Sequence, residues 1–275
     1  MQKFPVATAV EETVCRTDGV RSGARTVPEE VPIALSYGGT THAVMMGSPA
    51  DFEDFAIGFS VTEGIVAAID EIEHIAVQDL GVGVDIQIVL RDRANQRFEA
   101  RRRRLAGPVG CGLCGIESIE EAMRQVPAVE TVKLQLSAAQ VSEAVRLLSE
   151  RQPLHRLTGA VHAAGFYRPG EGVLIAREDV GHHNALDKLA GAMLRARIGA
   201  AGGAVAVTSR LSVEMVQKSA AIGASVLLAV SAPTALAIRT AESAGMTLVA
   251  LVRGDEFDVF THPHRILTGA RTNVA

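Results

Sequence analysis

Tryptophan is absent from this chain, and aromatic residues make up only 4% of it. Packing therefore falls to alanine, valine and leucine, within a hydrophobic fraction of 48% that is ample for a core. Cysteine is nearly as scarce, and three residues cannot build a disulfide framework. No apolar stretch reaches ~18 residues without polar interruption, so no membrane insertion is expected. No basic leader followed by an apolar run opens the sequence, and the expected location is the reducing cytoplasm. The net charge of −4 argues against a general nucleic-acid binder. No Walker loop is present, so that ordinary nucleotide signature is missing.

What is present divides along the chain. The length of 275 residues suits one large domain or two modest ones. Residues 1–27, polar and glycine-containing in TDGVRSGART, read as a flexible tail, with Cys15 an incidental thiol. Residues 28–106 read as a small α+β unit. In it, VPIALSYGG and THAVMMG form two strands, and VGVDIQIVL a third. Between them SPADFEDFAIGFS suits a helix, with Ser48 as cap, Pro49 at the first position and Asp51 completing a capping box. Phe52, Phe55, Ala56 and Phe59 then make a core-facing stripe.

After a mobile cysteine loop at 107–117, residues 118–275 form the larger unit and its C-terminal segment. Helices are expected after Ser118, with Glu121 at the capping-box position, and from Ser137. The remainder alternates: GVLIA, AVAVTS, SVLLAVS and TLVALVR as strands, with helices over 183–198, SVEMVQKSAAIG and TALAIRTAESAG. Such alternation predicts an α/β fold of parallel strands covered by helices. Ligands favour the carboxyl ends of such strands, where REDVG, TSRLS, VSAPT and VRGDE converge.

The chemistry concentrates in GPVGCGLCG, residues 107–115, just after the run Arg101 to Arg104. Cys111 and Cys114 could contribute two zinc ligands, but there is no second cysteine pair, and His42, His155 and His162 make no recognised spacing with them. Thiol chemistry has a positive argument: glycines open the loop, nearby guanidinium groups favour thiolate, and a second thiol can resolve or accept sulfur. The residues alone leave metal, thiol chemistry and structural use open. The arginine run reads as a solvated face, a dock for an acidic partner or a phosphate site.

Several blocks in fixed order settle on a resemblance. GCGLCG, LTGAVHAAGF, REDVGHHNALDKLAG, TSRLSVEMVQKSA, LLAVSAPTALA and VFTHPHRI, spread over residues 30–266, resemble the formate dehydrogenase accessory sulfurtransferases, the FdhD family. The resemblance implies a cytidine-deaminase-like α/β core with the smaller N-terminal unit beside it, and a homodimer. It implies a sulfurtransferase that takes sulfane sulfur from a cysteine desulfurase as a Cys111 persulfide, with Cys114 as its partner. The acceptor is the molybdenum or tungsten bis(molybdopterin guanine dinucleotide) cofactor, held as cargo, and the client is apo-formate dehydrogenase. No structural metal is expected, and zinc deaminase chemistry is disfavoured because no upstream His-x-Glu is present. A noncatalytic cofactor chaperone is the alternative.

The cofactor site is expected at the strand ends. His162 enters through its matching block. Arg177 suits phosphate and Asp179 the guanine N–H edge. His183, Asn184, Asp187 and Lys188 keep the family block, whereas His182 stands where the family often carries arginine and offers less permanent charge. Ser209 and Arg210 suit a phosphate cradle, and Ser231 adds a hydroxyl. Thr234 reads also as a helix cap and Met215 as core. The stretch Leu251, Val252, Arg253, Gly254, Asp255 and Glu256 resembles a cofactor-contacting segment, and His262 and His264 read as structural or interfacial.

Overall fold

The computed structural model describes residues 4–105, 126–129 and 134–267, with 101–105 as helix backbone. The N-terminal segment corrects the expected tail: β1 (Ala7–Arg16) and β2 (Gly19–Pro28) pair antiparallel in full register. The reason lies in turn chemistry. Thr17 and Asp18 make a two-residue connection, and Gly19 supplies a positive φ of 136° that other residues avoid. Alternating Val, Thr and Glu sustain the strands despite their polarity.

The smaller unit follows. β3 (Val31–Tyr37), β4 (Thr40–Gly47), β5 (Ile72–Asp79) and β6 (Val84–Leu90) form a sheet in the order β4-β3-β6-β5. β3 and β6 run parallel, because α1 (Phe52–Thr62) lies in the crossover between them. Their inner residues Ile33, Leu35, Tyr37, Ile86 and Ile88 bury against Phe55, Ala56 and Phe59, as the stripe in α1 predicts. Phe98 of α2 (Asp92–Leu105) closes the same core.

The start of α1 departs from expectation. Asp51 is the N-cap with φ 55° and no side-chain cap bond, a left-handed conformation that Asp tolerates better than most residues. Ser48 does not cap the helix; its hydroxyl accepts from Val180 N at 3.1 Å instead.

The larger unit is a three-layer α/β/α arrangement. Its six-stranded sheet runs β13-β12-β11-β10-β8-β9, with β8 (His162–Arg168), β9 (Gly172–Asp179), β10 (Ala204–Val207), β11 (Val226–Ala229), β12 (Thr247–Arg253) and β13 (Glu256–Thr261). β10, β11 and β12 are parallel, as the alternation predicts. The flanks are not: β8 and β9, and likewise β12 and β13, are hairpins whose short turns leave no room for a crossover helix.

Helices α5 (His182–Arg195), α6 (Val213–Ala221) and α7 (Ala235–Ala244) cover one face, packing Leu186, Leu189 and Met215 onto Val205, Val207 and Leu227. On the other face α3 (Ala138–Glu150) packs Val141, Ala144 and Leu148 onto Ala206, Leu228 and Val249. Ser137 stands at the expected helix start and caps α3 through a capping box with Gln140, and Thr234 caps α7. The short α4 (Pro153–Thr158) precedes β8, and the two-residue strands β7 (Leu136–Ser137) and β14 (Ile266–Leu267) pair beside α3. Among the described residues no helix is long and apolar enough to cross a membrane.

Candidate functional site

The sheet topology gathers the expected loops. β9, β10, β11 and β12 point the same way, so their carboxyl ends share one edge with the amino end of the opposed β8. His162 pairs across from Asp179 there. The Thr208 hydroxyl accepts from Ala163 N at 2.9 Å, fixing the loop after β10 against β8. Ser209 is 5% exposed and its hydroxyl donates to Arg210 O at 2.9 Å, while Arg210 is exposed. One strand over, Ser231 O accepts from Leu251 N at 3.3 Å. Leu251 has φ 58° at an irregularity of β12, so a non-glycine residue carries left-handed strain at this edge.

The rest of LVRGDE splits by position. Val252 is 2% exposed and belongs to the α3-side core, so its side chain is a packing group. Gly254 and Asp255 form the turn between paired Arg253 and Glu256, with Gly254 at φ 58°. Arg253, Asp255 and Glu256 are exposed on this hairpin tip.

Three imidazoles meet at the same edge. The His162 and His182 rings lie 5.5 Å apart edge to face, and the His182 and His183 rings 4.1 Å apart. His183 Nε2 reaches Glu214 Oε2 at 2.9 Å and Ser212 Oγ at 3.4 Å. Burial pushes His182 from 6.5 down to about 4, with His183, His162 and Arg210 adding to it. Burial also lowers His162, helped by His155. The hydrogen bond from His183 lowers Glu214. His182 is therefore a neutral donor–acceptor at pH 7, beside the exposed Arg210 guanidinium.

Four other residues expected in this site are instead interior. Asp179 and Lys188 are each 0% exposed, Asn184 is 2% and Asp187 is 1%. Lys188 Nζ donates to Asp179 Oδ2 at 2.6 Å and to Ser48 O at 2.9 Å. Asp179 also accepts from Ser48 N, Gly181 N and Asn184 Nδ2, and Asn184 donates to Met46 O at 2.8 Å. Asp187 accepts from Thr62 Oγ1 at 2.5 Å and from Lys218 Nζ, which also holds Glu63 at 2.6 Å. Burial raises Asp187 against the pull of Lys218; burial opposes the Lys218 charge, yet Asp187 and Glu63 overcome it and raise Lys218. These groups spend their hydrogen bonds tying α5 and α6 to the smaller unit, so none is presented to a ligand.

Arg177 belongs to the same joint. Its Nε and Nη2 donate to Asp54 Oδ2 at 2.9 and 2.7 Å, and Arg195 takes the other oxygen at 2.8 Å. A carboxylate this close neutralises the guanidinium and opposes a phosphate beside it. Strand alternation explains the placement, since Arg177 and Asp179 share the face turned to α1. Glu178, between them, accepts from Leu154 N and His155 N at the start of α4.

Sequence reasoning missed Ser48, Asp54, Thr62 and Glu63, whose partners lie more than 100 residues away. Glu214 and Lys218 were visible in the TSRLSVEMVQKSA block, but their ion pairs depend on how α6 packs. Cys111 and Cys114 and the helix expected after Ser118 lie outside the described residues.

Residues 28–267 match the model of the FdhD/NarQ family. The sulfur carrier protein FdhD of Agrobacterium fabrum is 59% identical over 258 residues, covering 94% of this chain and 95% of that protein. The protein of the same name from Brucella abortus is 54% identical over 267 residues, covering 97% and 99%. A crystal structure assigned as a formate dehydrogenase accessory protein from Desulfotalea psychrophila superposes with a TM-score of 0.77 at 28% identity, over 96% of this chain and 100% of that one.

Proposed function

Because the chain belongs to the FdhD/NarQ family, we propose that it is a sulfur carrier serving formate dehydrogenase. The observation that carries this reading is the near full-length likeness to proteins named sulfur carrier protein FdhD, across a region that contains both Cys111 and Cys114. The Cys111 thiolate attacks the outer sulfur of a persulfide on a cysteine desulfurase. The donor's S–S bond breaks, its thiolate leaves, and Cys111 becomes Cys–S–SH with no net redox change.

The cargo is the molybdenum or tungsten bis(molybdopterin guanine dinucleotide) cofactor, which receives this sulfur before or during its insertion into apo-formate dehydrogenase. The strand-end edge supports a dock for it. Arg210 and Arg253 are exposed there for phosphate, and neutral His162 and His182 are available as hydrogen-bonding partners. The larger unit is read as a cytidine-deaminase-like core on its parallel β10–β12 between helical layers, working as a homodimer in the cytoplasm.

Intact mass before and after incubation with a cysteine desulfurase and cysteine tests the intermediate. A reductant-sensitive gain of one sulfur that maps to Cys111 and vanishes in Cys111→Ser is expected. Activation of formate dehydrogenase by the Cys111→Ser protein, in a strain lacking its own counterpart, would sink the covalent carrier and favour a chaperone.

A further inference from the structure

Helix α2 is where the charge of the molecule is most lopsided. Between Arg91 and Leu105 stand seven arginines against Asp92 and Glu99, in a chain of net charge −4. The helix is anchored along one side: Ala94 and Phe98 are 1% and 3% exposed, and the Phe98 ring lies 4.9 Å from Tyr37 and 5.2 Å from His42. Arg93, Gln96 and Arg97 are exposed. The helical repeat puts positions 101 and 104 on the flank of Arg93 and Arg97, so the stripe runs roughly 16 Å along the axis. Glu71 takes part of the Arg97 charge at 2.6 Å, but such an exposed pair exchanges readily for another carboxylate.

The stripe also has a defined relation to the reactive thiol. Six residues lead from Leu105 to Cys111, and so short a tether keeps the thiol within roughly 20 Å of the helix end. A partner seated at the end of α2 is thereby six residues along the chain from Cys111.

We propose that this arginine stripe is the docking surface for an acidic face on the protein that delivers the sulfane sulfur. The inference rests on the sulfur-carrier reading. A single phosphate needs donors that converge, whereas these are spread along a rod and match an extended run of carboxylates. Nucleic acid would meet the same stripe but be repelled by the remainder of an acidic protein. Charge-driven docking is fast to form and easily dissolved, which suits a carrier that must load and depart.

The test uses the full-length protein and two sulfur sources: a cysteine desulfurase with cysteine, and inorganic polysulfide, which needs no docking. With the desulfurase, loading of the natural protein should slow steeply as salt rises. Arg93→Glu with Arg97→Glu should load roughly tenfold more slowly, and Arg93→Lys with Arg97→Lys should recover most of the rate. With polysulfide all three should load alike. Equal desulfurase loading by the charge-reversed protein, or loading indifferent to salt, would overturn the proposal. So would competition by a short RNA duplex but not by polyglutamate, which would make nucleic acid the occupant. If neither source loads the natural protein, the sulfur-carrier reading itself fails. If the charge-reversed protein unfolds, the salt series and the lysine variant still decide.

Discussion

The joint between α1 and α5 and the strand-end edge beside it draw on the same stretch of sequence yet use charge in opposite ways. In the joint, Asp179, Lys188, Asp187 and Lys218 are buried and paired, and every partner is supplied by the protein. At the edge, a few residues along the same helix, His182 and His183 stay half-buried and Arg210 is exposed. One turn of helix thus separates groups that hold the fold from groups that can greet a ligand. REDVGHHNALDKLAG reads as one functional block, but Asp179, Asn184, Asp187 and Lys188 within it are interior.

That contrast is sharpest where the helices touch. A Cβ on Gly58 would lie 1.7 Å from Asp187 O, and one on Gly191 would lie 1.9 Å from Asp54 O. The two backbones meet through reciprocal glycines, which brings Thr62 and Asp54 within reach of the groups on α5. The largest effect is therefore expected in the joint. Lys188→Ala strands Asp179 as an uncompensated buried charge and should cost roughly 3–5 kcal/mol, read by urea unfolding. An undiminished midpoint would show that the pair is not a structural tie. Gly58→Ala forces the helices apart and should cost roughly 1–3 kcal/mol in the same measurement.

Two arginines break the comparison if it is wrong. Arg210→Ala should leave the melting temperature unchanged but weaken binding of a guanine dinucleotide by roughly 1.5–3 kcal/mol, measured by calorimetry. Arg177→Ala should do the reverse, lowering stability through the loss of its Asp54 partner while leaving affinity intact. Weaker binding without weaker folding for Arg177 would restore its expected phosphate role.

The smallest effect is in acid. His182 is held near 4 when folded, against 6.5 ordinarily, so the unfolded chain takes up its proton first. Its contribution to stability is complete above pH 6.5 and is lost as pH falls toward 4. His182→Asn should flatten the stability profile within that window and leave it unaltered above, as urea midpoints across pH would show.

The period of the apolar residues was legible almost throughout. The stripe of α1, the helix start at Ser137 and the alternation from β9 to β12 stand where their patterns put them, because those patterns report burial that local geometry dictates. The hairpin over 7–28 was hidden by polar composition, although the Thr-Asp turn followed by Gly19 and the alternating Val and Thr were available to be read. The flanking antiparallel strands were hidden for a different reason: an α/β alternation states which residues are strands and not which way each enters the sheet.

The sequence by itself determined the family, through ordered blocks over nearly the whole chain, and the position of the two candidate thiols. It also determined which segments bury apolar side chains, since that follows from spacing along one element. Tertiary structure alone decided which charged residues of a shared block are interior. Asp179 and Lys188 are nine residues apart and read like ligands, but their fate depends on Ser48, 131 residues from Asp179. A carboxylate is costly to bury without partners and stable once they surround it, and those partners come from a helix and a sheet that only folding brings alongside.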